Sequence, residues 1–177
     1  MRKALFVLVC IALCSGQMCA VPTVSNPQGI LPGLYSGLVS HSYTGTGTDA
    51  QGQPEQVSGG FDLTITRNFG SHGGLLAVDG TPLGLGGHVT GTIGPMTMTF
   101  TVKGIQMNVD RLQMMSDVTA NACDADGCFT FSGFASEVYT QVDPNTLDYQ
   151  AEMNLGYTGQ DGSSGMARYF YNGTLTK

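Results

Sequence analysis

Three observations in the sequence predict an all-β domain, an antiparallel meander closed into a barrel of about 8–9 strands. Charged residues make up 11% of the chain, and the three Glu and three Lys are too few to cover the solvent faces of long helices. Short runs of period two recur along the chain, separated by Gly, Asp and Asn. The 26 glycines follow no three-residue period and lie among Thr and aromatic residues, which excludes a collagen-like chain. A flat sheet of these runs would leave a long apolar face bare, and no segment has the helical period needed to cover it. Curling the sheet on itself buries that face and removes its edges, with a two-sheet β-sandwich as the alternative.

The chain opens with a basic start at Arg2 and Lys3, an apolar run from Ala4 to Cys14 and a small polar stretch ending at Ala20. That is the layout of a secretory signal peptide over residues 1–20, and its apolar run is too short for a permanent membrane span. A cut after Ala20 leaves Cys123 and Cys128 as the only cysteines, whereas a cut after Gly16 would leave Cys19 as an odd thiol in an oxidising compartment. Cys10, Cys14 and Cys19 also raise a lipid anchor, but Val9, Leu13 and Met18 stand where a lipidated cysteine needs small residues. Without residues 1–20, five basic side chains face 13 acidic ones, a formal charge of −8. Such a chain repels phosphate, so no nucleic-acid partner is expected. Pro22, Pro27 and Pro32 make residues 21–32 an extended leader, and the absence of any later shift in composition leaves one domain over residues 33–177.

Within that domain the strands are expected at Leu34–Tyr43, Val57–Arg67, Gly74–Val78, His88–Ile93 and Met96–Lys103, then at Gln106–Val118, Cys128–Val142, Thr146–Tyr157 and Gly165–Thr176. Alternation is clearest in Phe61, Leu63, Ile65, in Met96, Met98, Phe100, Val102, and in Leu147, Tyr149, Ala151, Met153, Leu155, Tyr157. Polar residues between them give each strand one buried and one wet face. Asp79-Gly80, Asp126-Gly127 and Asp161-Gly162 mark tight turns. Gly91, Gly133 and Gly173 inside strands fit bends or close packing in a coiled barrel. Residues 44–60 read as a long polar loop, the longest connection and a mobile surface at the barrel mouth.

Few residues point to chemistry. Cys123 and Cys128 bracket Asp-Ala-Asp-Gly between two strands, the spacing of a hairpin disulfide; redox work would prefer two intervening residues and a helix N-terminus. Asp124 and Asp126 lack the further oxygen ligands of a calcium loop. His41, His72 and His88 lie on separate segments without metal-ligand spacing. Ser71 and His72 are adjacent, and on an extended chain adjacent side chains point to opposite faces, so Ser71 would not hand its proton to His72. Gly45-Thr46-Gly47 lacks the following helix that a phosphate loop needs. Asp62, Asp110, Glu137 and Glu152 are the carboxylates that would have to meet in space for glycoside hydrolysis. Met96, Met98, Met107, Met114, Met115, Met153 and Met166 supply a soft lining for a core or for a pocket that accepts a lipid-like ligand. Asn172-Gly173-Thr174 matches the N-glycosylation pattern. No catalytic, cofactor-binding or metal-ligating residue is expected.

Gly33-Leu34-Tyr35-Ser36-Gly37, Gly60-Phe61-Asp62-Leu63-Thr64-Ile65 and Gly156-Tyr157-Thr158-Gly159-Gln160 before a final aromatic strand carry a resemblance at the level of pattern. In these the chain resembles small exported β-barrels of the lipocalin-like type and the barrel domains of bacterial transferrin-binding-protein-like surface proteins. The resemblance implies a binding or scaffold role outside the cytoplasm, whether secreted, periplasmic or at the cell surface, and carries over no binding residue. The expected function is a non-catalytic exported module that holds a small apolar ligand or contacts a partner protein through barrel-mouth loops. A small outer-membrane β-barrel is the first alternative and a secreted hydrolase with paired carboxylates the second.

Overall fold

A computed structural model describes residues 29–93, 96–124 and 127–177. The expected signal peptide and leader residues 21–28 lie outside the described residues, as does Asp126 of one expected turn. Nine strands follow one another: β1 (Gly33–Thr48), β2 (Pro54–Phe69), β3 (Leu75–Leu76), β4 (His88–Ile93), β5 (Met96–Met107), β6 (Arg111–Asp124), β7 (Gly127–Asp143), β8 (Thr146–Gly159) and β9 (Ser164–Thr176). They form one antiparallel sheet in the order β3-β2-β1-β9-β8-β7-β6-β5-β4, and no helix occurs among the described residues.

The last strand returns to the first, pairing β9 with β1 from Ser36↔Thr176 to Thr48↔Ser164. That pairing curls the meander into a half-barrel. The expected all-β, barrel-like fold is present, but the ladder does not run all the way round: it ends at β3 on one side and at β4 on the other. The physical reason lies in residues 77–87, which carry Gly80, Pro82, Gly84, Gly86 and Gly87. A segment so rich in strand breakers cannot supply a ladder strand. It forms a tight turn, closed by the Ala77 amide on the Thr81 carbonyl at 2.8 Å with Gly80 at φ 82°, and then crosses the seam. The Leu83 amide donates to the Leu75 carbonyl at 2.9 Å, and the Gly86 amide donates to the Val102 carbonyl at 2.8 Å, tying β3 to β5 at one end.

Side chains alternate as a half-buried sheet requires. Along β8, Leu147, Tyr149, Ala151, Met153 and Leu155 are buried inside, while Asp148 and Gln150 are exposed outside. One end of the half-barrel is plugged by Tyr35, Phe69, Leu112, Tyr139, Leu147 and Leu175, each 2% exposed or less. Burial of each is worth about 1.5–3 kcal/mol before the entropy of ordering is counted. Ile30, just ahead of β1, is buried with them, and Gln141 accepts the Leu31 amide at 2.9 Å. The curl is tight enough to demand glycine at Gly173, where a Cβ would lie 2.8 Å from the Leu38 carbonyl oxygen, and at Gly133, where it would overlap the Asn154 carbonyl. Gly91 has open space around it, so close packing does not account for that glycine.

Three stretches differ from the sequence expectation, one being the end of β6, expected at Val118 but reached only at Asp124. Residues 44–60 are not a long loop: the ladder continues from Thr44↔Ser58 to Thr48↔Pro54, and only residues 49–53 turn. Asp49 holds that turn by accepting the amides of Gln51 at 2.9 Å and Gln53 at 2.8 Å. Here much of the hairpin is wet, and β2 is exposed from Pro54 to Asp62, so no apolar alternation marks it as strand. Gln106 belongs to the end of β5 rather than the start of β6, because a bulge between Val102 and Gly104 carries β5 further. Cys123 and Cys128 face each other in the β6–β7 hairpin, with Cα atoms 4.1 Å apart, and are joined by a disulfide. This bond fits an oxidising, extracellular setting.

Candidate functional site

Above the plug the half-barrel is hollow. A cavity of about 520 Å³ lies between the inner faces of β2, β5, β6, β7, β8 and β9. Its walls are apolar, with Leu63, Ile65, Met98, Phe100, Met114 and Met153 among the contributors. Its mouth is the seam itself: Thr64 and Thr66 line it from the free edge of β2, Asn68 from the point where β2 meets β3, and Val89, Thr90 and Gly91 from β4. Leu76, Ala77 and Val78 form one margin, beside Leu83 of the seam-crossing segment. Of the seven strand methionines, Met98, Met114 and Met153 are buried and line this space, Met115 and Met166 are exposed on the outside, and Met107 is exposed at the end of β5, opposite Leu112.

One polar cluster interrupts the apolar walls where the cavity meets the plug. Arg67 on β2 points inward and reaches across the half-barrel to β7. Its Nη2 donates to Glu137 Oε1 at 3.0 Å, its Nε to the Tyr139 hydroxyl at 2.9 Å, and its Nη1 to the Thr66 carbonyl at 3.2 Å. The Tyr139 hydroxyl donates to Glu137 Oε2 at 3.1 Å, and the Tyr149 hydroxyl to Glu137 Oε1 at 3.0 Å. The Arg67 guanidinium also stands 5.9 Å from the Tyr149 ring centroid. Side-chain exposures of 30% for Arg67 and 13% for Glu137 are consistent with their place in the cavity lining.

Burial opposes the charge on Arg67, but the oxygens of Tyr139 and Glu137 outweigh it and hold the guanidinium well above its ordinary value. Burial, reinforced by the Glu137 carboxylate, pushes the phenols of Tyr139 and Tyr149 upward, so both stay neutral and act as donors. The cluster is a paired cation and anion clamped by two hydroxyls, carrying no net charge.

Around His41 there is a second inward group. His41 is 6% exposed and lies among aromatic rings, with centroids 4.5 Å away at Phe61, 4.7 Å at Tyr171 and 5.7 Å at Tyr169. Its Nδ1 has no hydrogen-bond partner among the described residues, and burial lowers its pKa below the ordinary 6.5.

The four carboxylates considered for hydrolysis are not brought together. Glu137 alone faces the interior; Asp62 accepts the Ser40 hydroxyl at 2.8 Å on the outer face, Glu152 pairs with Arg168 at 2.8 Å outside, and Asp110 is exposed in the β5–β6 turn. The three histidines lie apart: His72 is in the turn before β3, and the exposed His88 meets Thr101 Oγ1 at 3.0 Å. Ser71 Oγ does lie 3.2 Å from His72 Nδ1, contrary to the expectation of opposed side chains, because the pair sits in a turn rather than on an extended strand. Both are exposed to solvent, outside the cavity lining.

The sequence expectation holds no polar role for Arg67, Tyr139 or Tyr149. The available signal was a charge inside an apolar stripe: Arg67 continues Phe61, Leu63, Ile65, and Glu137 follows Phe131, Gly133, Ala135. One basic and one acidic residue in the inward register of two strands predict a pair across a curled sheet. No family model matches the chain, and no curated protein or solved structure gives a significant match.

Proposed function

We propose that this chain is an exported, non-catalytic binding module that holds one small apolar ligand within its half-barrel. A single observation carries the reading: an apolar cavity of about 520 Å³, open through the seam and furnished with one localised polar cluster. That size and lining match small-molecule sites, which are mostly apolar with a few placed polar groups. Outward positions of the strands favour this reading over a membrane-spanning barrel. Ser40, Ser42, Thr44 and Thr46 of β1 and Asn172 and Thr174 of β9 would face lipid, where a spanning barrel presents an apolar band. The disulfide, the expected signal peptide and the acidic balance support export.

Native mass spectrometry of protein purified from its own host tests the reading by showing a bound small molecule. Binding of a fluorescent apolar probe tests it in vitro. Ala151, buried in the cavity wall, is the place to fill: Ala151→Phe should weaken probe binding at least tenfold while the folded spectrum persists. Equal binding by wild type and Ala151→Phe would place the probe elsewhere and remove the support.

A further inference from the structure

The polar cluster at the foot of the cavity restricts which ligand fits, on the reading that the cavity is a binding site. Arg67 has five N–H donors, and three are used, by Tyr139, Glu137 and the Thr66 carbonyl. Two N–H groups therefore have no protein acceptor among the described residues. Glu137 Oε1 already accepts from both Arg67 and Tyr149, whereas Oε2 accepts only from Tyr139 and keeps acceptor capacity. The cluster thus has both an unspent donor and an unspent acceptor, on a pair whose charges cancel.

From this we infer that the ligand is an uncharged amphiphile with a hydroxyl head, and that Glu137 is the residue that excludes anionic amphiphiles. A hydroxyl both accepts and donates one hydrogen bond, so it matches the spare Arg67 N–H and the spare lone pair of Glu137. A fatty carboxylate offers only acceptors and brings a negative charge beside Glu137, where the one cation is already committed at 3.0 Å. That leaves one anion uncompensated in a largely apolar space, a costly arrangement. An alkylammonium leaves one cation uncompensated in the same way. Tyr139 and Tyr149 deepen the bias, since both hydroxyl donors are directed at Glu137 and neither is spare for a ligand carboxylate.

Matched ten-carbon probes test the inference: decan-1-ol, decanoate and decylammonium at pH 8, each competing with a fluorescent apolar probe on the full-length secreted protein. In the wild type decan-1-ol should bind at least tenfold more tightly than either ion. An ion that binds as tightly as the alcohol overturns the inference while leaving the binding reading intact. Failure of all three to bind overturns the binding reading and the inference with it. An apolar cavity alone also favours an alcohol, so the role given to Glu137 is decided by Glu137→Gln. This change keeps the shape but leaves Arg67 as an unpaired cation. In a folded Glu137→Gln protein the decanoate-to-decanol affinity ratio should rise at least tenfold, and the decylammonium-to-decanol ratio should not rise. An unchanged decanoate ratio removes Glu137 from the role. Should Glu137→Gln fail to fold, the wild-type order of the three probes still decides the ligand class.

Discussion

Arg67 and Glu137 form a pair whose loss should be felt most when only one partner is removed. Arg67→Met would leave Glu137 with two tyrosine donors but no countercharge in the interior. The expected cost is about 3 kcal/mol, read as a lowered urea midpoint, whereas Arg67→Met combined with Glu137→Met should cost much less because no lone charge remains. A double substitution as damaging as the single one would show that the ion pair itself, rather than the avoided lone charge, is what matters. His41 gives the pH dependence. Burial holds its folded pKa below 6.5, so the folded chain resists the proton that the unfolded chain takes up. Stability is therefore full above about pH 6.5 and declines as pH falls from there toward the lowered folded value. In His41→Phe that contribution to the decline should vanish from the stability–pH curve, measured by denaturant titration at several pH values. At this scale the sequence was legible only in part. Glu137 stood out as a carboxylate, but its partner on β2 did not, because Arg67 lies 70 residues away and only the curl brings them together.

The nine strands were readable because most of them have one face in water and one in the core, and period two records that directly. β8 shows the limit of agreement, expected from Thr146 to Tyr157 and observed from Thr146 to Gly159. The signal failed where both faces are wet, in the β1–β2 hairpin beyond Tyr43, and at the β5 bulge, where an extra residue interrupts the period. Turn chemistry was legible where an Asp precedes Gly. Asp79 accepts the Thr81 amide at 3.0 Å, and Asp161 the Ser163 amide at 2.9 Å, with Gly80 and Gly162 at positive φ. The β6–β7 hairpin carries the covalent reinforcement, and reducing Cys123–Cys128 should cost about 2 kcal/mol by the loop-entropy relation for so short a loop. Chemical denaturation with and without reductant measures it. No change on reduction would mean that the hairpin is already fixed by its ladder in the unfolded chain.

On the scale of the whole molecule, the seam is the feature that sequence could not supply. Period two shows that a face is buried, but whether the two ends of the ladder meet depends on eleven residues between β3 and β4 that have no period at all. Because β2 beyond Asn68 and Phe69 has no outer neighbour in the ladder, and β4 none on its far side, half of their amides have no strand to bond to. In hydrogen exchange read by mass spectrometry, peptides from β2 and β4 should exchange faster than those from β8, which is paired on both sides by β7 and β9. Protection of β4 equal to that of β8 would mean that the edges zip together in solution. The side opening also sets how a guest arrives. On the binding role proposed above, a flexible hydrocarbon would not have to thread in end first through a rim; it would be laid in broadside, between two edges that run lengthwise. Uptake should then vary little with tail length until the tail outgrows the apolar walls of Leu63, Met98, Phe100 and Met153, and past that length affinity, rather than speed, should fall.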